Sequence, residues 1–138
     1  MNNNNSTEPR ILVTDQDFHR LSALVSQVEG PFAEALEEEL SRANVIAQKE
    51  IPKTVVTMNS RVQFLDEVSG QESEMTLVYP QDAKLEEGRL SILAPVGIAL
   101  LGLSVGQEIN WKLPNGQSKK LKVQAVTYQP EASGNFDL

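Results

Sequence analysis

Two hydrophobic periods divide the chain. Up to about residue 50 the apolar positions recur every three to four residues, and beyond it they recur every two. Phe18, Leu21, Leu24, Val25 and Val28 fall on one helical stripe. Thr14-Asp15-Gln16-Asp17 precedes it, with a hydroxyl at the N-cap position and acids in the first turn, at the positive end of the helix dipole. Gly30 ends this helix and Pro31 opens the next. The second stripe is Phe32, Leu36, Leu40 and Ala43, with Glu34, Glu37, Glu38, Glu39 and Arg42 on the remaining faces. Two amphipathic helices joined by so short a link pack antiparallel, so residues 15–47 are expected to form a helical hairpin of coiled-coil type. Its first helix, roughly 14 residues at 1.5 Å each, is expected to be about 21 Å long.

Ile51-Pro52 breaks the helical pattern, and strand-like alternation follows. Residues 55–58, 61–65 and 73–79 read as strands, with Ser69-Gly70 as a turn. Residues 80–88 form a polar, acidic surface loop. The longest apolar region comes next, over residues 90–106. Leu90 to Leu93 reads as a buried strand, Pro95 occupies a first helical position, and Gly102 stands where that short helix ends. Residues 107–113 and 119–128 are a strand pair closed by Asn115-Gly116. In the last strand Leu121, Val123 and Ala125 alternate, then Val126 and Tyr128 switch phase, which predicts a bulge near Ala125. After Pro130 the pattern is irregular. The expected class is therefore α+β. Residues 1–10 form a polar disordered tail, 11–50 the short helical hairpin, and 51–138 an antiparallel sheet domain with one short helix.

Composition narrows the partners. With 40% hydrophobic and 22% charged residues, the chain reads as an ordinary soluble globular protein. No apolar run is long enough to span a bilayer, and the asparagine-rich start has neither the basic region nor the apolar segment of a secretory signal. The cytoplasm is the expected location. The net charge of −7 argues against direct nucleic-acid binding. Residues 1–50 carry nine acids and four bases, against ten and eight in residues 51–138, so the acid is concentrated where a basic protein surface is the favoured partner.

Little points to catalysis. The chain has no cysteine, so disulfides, thiolate metal sites and a cysteine nucleophile are excluded. The single histidine, His19, stands beside Phe18 without a serine or metal-ligand motif, and reads as a partly exposed helix residue. No phosphate-binding glycine motif occurs. Glu29 and Glu34, flanking Gly30 and Pro31 at the hairpin tip, are the one carboxylate pair able to approach a magnesium ion; solvation is the simpler reading of both. Glu37, Glu38 and Glu39 are either a solvated face or a docking surface. Trp111 is expected to pack at the core or its rim. Arg61 is open between pairing at a strand start and meeting a partner, and Lys119, Lys120 and Lys122 read as a strand's solvent face. No cofactor, metal or catalytic residue is expected.

Several blocks, in order and at matching intervals, resemble the C-terminal domain of the Gre family of transcription factors. They are Val55-Val56-Thr57-Met58-Asn59-Ser60-Arg61-Val62, Thr76-Leu77-Val78-Tyr79-Pro80, residues 90–106, Leu113-Pro114-Asn115-Gly116, and Tyr128-Gln129-Pro130-Glu131-Ala132. The resemblance extends from Ile11 onward and is closest to short-hairpin members named for regulation of nucleoside diphosphate kinase. It implies an FKBP-like sheet domain without implying prolyl isomerase activity. It also implies binding to bacterial RNA polymerase at the secondary channel, with the sheet domain on the rim and the hairpin pointing inward. The rim contact maps to Leu93, Ala94, Pro95 and Val96; Leu93 and Ala94 replace the polar residue and serine usual there in Gre factors. Gre cleavage factors deliver a tip acid pair on a longer hairpin. The expectation is therefore a non-enzymatic, monomeric regulator that competes with Gre-type factors without transcript cleavage, and touches nucleoside diphosphate kinase only indirectly. The alternatives are cleavage stimulation through Glu29 and Glu34, or direct control of the kinase.

Overall fold

The computed structural model describes residues 11–112, 116 and 118–136. The expectations for residues 1–10, for Asn115 in its turn, and for the side chains of Trp111 and Lys119 lie outside the described residues. A short strand β1 (Leu12–Thr14) leads into helix α1 (Asp15–Val25), and α2 (Pro31–Ser41) leads into β2 (Asn44–Ile46). The Thr14 hydroxyl accepts a hydrogen bond from Asp17 N at 3.0 Å, so the expected N-cap is present. Gly30, at φ 117°, is the residue before Pro31.

Both helices are shorter than their stripes suggest. α1 has 11 residues, about 16 Å, and ends at Val25, leaving Val28 in the link. Residues 44–46, expected within the second helix, form β2, which pairs parallel to β1 with Leu12 opposite Asn44. Tertiary pairing to β1 overrides helical continuation there. Glu39, expected on a solvent face, is buried, its carboxylate 2.6 Å from the Arg42 guanidinium. The paired cation is what lets a carboxylate sit there.

The second part is a five-stranded sheet in the order β5-β4-β3-β7-β6. Its strands are β3 (Arg61–Asp66), β4 (Gln71–Val78), β5 (Arg89–Ser91), β6 (Glu108–Lys112) and β7 (Ser118–Tyr128). β3 pairs antiparallel with β4 and β7, and β7 pairs antiparallel with β6. β5, however, runs parallel to β4, against the expectation of a purely antiparallel sheet. The loop 79–88, with two 3₁₀ turns, is long enough to bring the chain back alongside β4 in the same direction.

The expected bulge is present twice. Along β3, Val62 faces Val126 although Arg61 faces Tyr128, and Phe64 faces Val123 although Gln63 faces Ala125. The two skipped residues, Thr127 and Gln124, are exposed and hydrogen-bond to Glu74 and Glu72 of β4. This puts the extra residues on the wet face and accounts for the phase switch.

Residues 55–58 do not form a strand. Only Val55 makes a bridge, to Ser104, before the chain turns through Asn59 in the left-handed region at φ 67°. Helix α3 (Pro95–Leu100) lies on the inner face of the sheet. Ile98, Leu100 and Leu101 pack there in one core with Val62, Phe64, Leu77, Leu121 and Val123. Leu21 of α1, Leu36 and Leu40 of α2, Val13 of β1 and Ile11 just before it belong to the same core.

That shared core converges on Gly102. Its φ is +82°, and a Cβ there would stand 2.6 Å from Ile11 Cβ and 3.1 Å from Leu12 O. Left-handed strain and overpacking add, so Gly102→Ala is expected to lower stability by about 2–5 kcal/mol. Denaturant titration checks this; a loss below about 0.5 kcal/mol, the range of ordinary surface changes, contradicts it.

Candidate functional site

The edge at residues 93–96 is built from backbone outward. After β5, Ala94 N donates to Ser91 O at 3.0 Å and Leu93 N donates to Ser91 Oγ at 3.0 Å. Ala94 is extended (φ −73°, ψ 147°), as a residue before proline prefers, and Pro95 opens α3. Alanine cannot cap the helix with its side chain; the nearby hydroxyl of Ser91 instead braces the turn ahead of it. Gly97 makes the arrangement tight, because a Cβ at that position would run into Ser91 O and crowd Leu77 Cδ1. Ile98, Ala99 and Leu100 are buried, whereas Leu93, Ala94, Pro95 and Val96 are half-buried. The result is a closely packed, uncharged apolar ridge that is partly open to solvent.

The tip at residues 26–34 has the opposite chemistry. Glu29, Pro31 and Glu34 are exposed and Gly30 is half-buried; Glu34 N closes the first turn on Gly30 O at 3.1 Å. Glu29, Gly30, Glu34 and Glu37 line one shallow hollow over Val25, Val28 and Ala33. The tip acids are therefore brought to one surface. Among the described residues, no group of three or more His, Asp or Glu side chains is placed to hold a metal ion.

Between ridge and tip lies a polar joint. Asp17 is buried at the base of α1, and its Oδ2 accepts from Met58 N at 3.0 Å. Burial pushes its carboxyl up to about 7; the Met58 hydrogen bond works the other way, Glu131 adds repulsion, and Arg20 offsets part of it. Tyr79 faces this joint, and burial raises its hydroxyl, with the Asp17 carboxylate adding to the shift. Beside Asp17, Thr57 and Ser60 share a hydrogen bond at 2.7 Å, and Thr57 Oγ1 donates to Glu131 Oε1 at 2.8 Å. Arg61 pairs with Glu74 at 3.0 Å on the sheet's outer face, the strand-start pair that the sequence allowed, and its side chain stays exposed. His19 is exposed, beside Arg20 and Leu24 along a groove that reaches Tyr79.

The sequence reading passed over Asp17, Thr57, Ser60, Gln129 and Glu131. A signal for Asp17 existed: positions 17, 21, 24 and 28 share one helical face, so the acid interrupts an apolar stripe. Thr57, Gln129 and Glu131 make contacts across more than seventy residues, which no local pattern records, whereas Ser60 meets Thr57 only three residues away.

Two family models match successive stretches of the chain. Residues 51–128 match the family described as transcription elongation factor, GreA/GreB, C-terminal, and residues 9–46 match the Rnk N-terminus. The chain is 44% identical over 133 residues to the regulator of nucleoside diphosphate kinase of Escherichia coli K12, covering 94% of this chain and 98% of that protein. It is 34% identical over 117 residues to transcription elongation factor GreA of Rhodospirillum rubrum, covering 85% of this chain and 73% of that one. Among solved structures, a prokaryotic transcription elongation factor GreA/GreB from Nitrosomonas europaea superposes with a TM-score of 0.70 at 46% identity, over 88% of this chain and all of that one.

The Asp17 environment gives a pH signature. The folded carboxyl titrates near 7 against an ordinary 3.8, so between these values the native state holds a proton that the unfolded chain has lost. Stability is therefore expected to rise as the pH falls through 7, and this gain is complete below the ordinary value. Asp17→Asn, which keeps an acceptor for Met58 N, is expected to flatten the profile between pH 5 and 8. Thermal melts across that range test it, and equal slopes for parent and variant contradict it.

Proposed function

Because the chain belongs to the GreA/GreB transcription elongation factor family, on the branch marked by the Rnk N-terminus, we propose that it is a non-enzymatic regulator binding RNA polymerase near its secondary channel. In this reading residues 51–138, with an FKBP-like sheet, grip the channel rim. Residues 11–50, as an antiparallel hairpin, point inward. The chain works as a cytoplasmic monomer in competition with Gre-type factors. The observation that carries the proposal is the ridge of Leu93, Ala94, Pro95 and Val96, half-buried and uncharged on a backbone fixed by Gly97 and Ser91. An apolar, pre-ordered edge is what a protein interface needs at its centre.

Reach argues for binding without cleavage. An α1 of 11 residues gives an arm of about 16 Å, shorter still than its sequence suggests. The second reading, cleavage stimulation, draws on the placement of Glu29 and Glu34 around one hollow. The two separate cleanly: Glu29→Ala with Glu34→Ala abolishes any cleavage activity and leaves polymerase binding largely intact. Direct control of nucleoside diphosphate kinase draws only on the name of the Escherichia coli relative. Co-purification of the kinase without polymerase would favour it.

The main test is competition. Labelled Gre factor bound to core polymerase is expected to be displaced by this protein, and Pro95→Asp to weaken displacement by about tenfold, equivalent to about 1.4 kcal/mol at the interface. Aspartate suits a first helical turn, so α3 is expected to persist in the variant. Absence of displacement at high concentration overturns the docking reading. Transcript cutting in backtracked complexes overturns its non-enzymatic part.

A further inference from the structure

The chain end after β7 does more than close the sheet. Gln129 is buried, and its Nε2 donates to both Pro52 O and Val55 O at 2.8 Å. Two residues on, Glu131 accepts the Thr57 hydroxyl at 2.8 Å, and the Thr57 amide donates to Ser60 Oγ at 2.9 Å. Further along, Phe136 O accepts from Gln48 Nε2 at 2.8 Å, and Lys49 Nζ lies 5.9 Å from the centre of the Phe136 ring. Residues 129–136 thus touch residues 48–57 at the beginning, middle and end of the segment that joins the helical arm to the sheet.

The tail is also held by its own hydrogen bonds. Asn135 N donates to Pro130 O at 2.8 Å, Ser133 N donates to Gln129 O at 3.1 Å, and Asn135 Nδ2 donates to the Tyr128 hydroxyl at 2.6 Å. The joining segment has a 3₁₀ turn at Gln48–Glu50 and one bridge at Val55, and its end nearer the sheet is tied to residues 102–105 by backbone hydrogen bonds from Val56 N to Leu103 O, Gly102 N to Val56 O and Val105 N to Thr54 O. Residues 129–136 add side-chain contacts along the same segment, including its arm end at Gln48, which those backbone bonds do not reach.

We infer that residues 129–136 are a strap that sets the angle of the helical arm relative to the ridge at 93–96, with Gln129, Glu131 and Thr57 as its positioning residues. This rests on the docking reading for its use, since a two-part grip works only if ridge and tip keep a fixed separation, but its geometry does not. Glu131 is the sensitive link. It is half-buried, it accepts the hydroxyl of Thr57 at the head of the Thr57–Ser60 turn, and it stands close enough to Asp17 of α1 to raise that carboxyl.

A natural absence of cysteine makes the test direct. Spin labels on Glu29→Cys at the tip and Ala83→Cys on the sheet domain report arm orientation in the free, full-length chain by pulsed dipolar spectroscopy. The parent is expected to give one narrow distance distribution. Glu131→Ala and Thr57→Val are expected to shift or broaden it, while Glu131→Gln and Thr57→Ser, which keep the acceptor and the hydroxyl, restore it. Amide exchange in β3 and β7 identifies any variant that has lost the sheet; if Thr57→Val is one, the Glu131 pair decides. An unchanged distribution in a folded Glu131→Ala protein overturns the strap, even if its melting temperature falls. Polymerase is absent from the measurement, so failure of the docking reading leaves its outcome untouched.

Discussion

The structure depends on one backbone crossing. Gly102 follows α3 and is threaded between two other segments: its N–H donates to Val56 O at 2.9 Å and its carbonyl accepts from Leu12 N at 3.1 Å. Ile11 and Leu12 approach so closely that a side chain on residue 102 has no room. One glycine therefore pins the first strand of the helical part, the segment entering the sheet, and the exit of the helix that carries the apolar ridge. Removing the side chain is the condition for all three to meet, and the left-handed turn is the means by which the chain leaves the crossing.

Around that crossing the protein places an unusual cost. The carboxyl group of Asp17 is buried between the helical part and the sheet, with the Met58 amide among its hydrogen-bond partners, and burial outweighs that bond. A hydrophobic residue of similar size would fill the space without a titrating group. What Asp17 supplies instead is direction: its acceptor meets Met58 N at one distance and angle, whereas apolar packing tolerates sliding. Thr57, Ser60 and Glu131 extend the same directional logic to the chain end. The joint between the two parts is thus polar and geometrically specific, within a core that is otherwise apolar.

Function follows from what such a joint holds apart. At one place is a closely packed, uncharged ridge; at another is a tip crowded with carboxylates. The family's members are transcription elongation factors. Under the docking proposed above, a short helical part suits occupation of a site better than chemistry within it, its concentrated acid favours a basic partner surface, and the uncharged ridge favours an apolar contact.

Much of this was legible in the residues alone. The change of period near residue 50, the Thr14 cap, Pro95 at the start of α3, and the phase switch in β7 are local features, set by backbone sterics and by the alternation of side chains, and each is present in the fold. Residues 93–96 were singled out through the family resemblance; the structure leaves them half-buried and uncharged, and their docking role belongs to the proposal. Other features needed the folded chain. The parallel pairing of β5, the conversion of residues 44–46 into a strand, and the burial of Glu39 are choices between nearly equal local options, decided by a partner distant in sequence. The same holds for the role of Gln129 and Glu131. A hydrogen bond across seventy residues leaves no periodicity behind, so sequence alone determined most of the elements, while tertiary contact decided the pairing of β2 and β5 and how the helical part is held to the sheet.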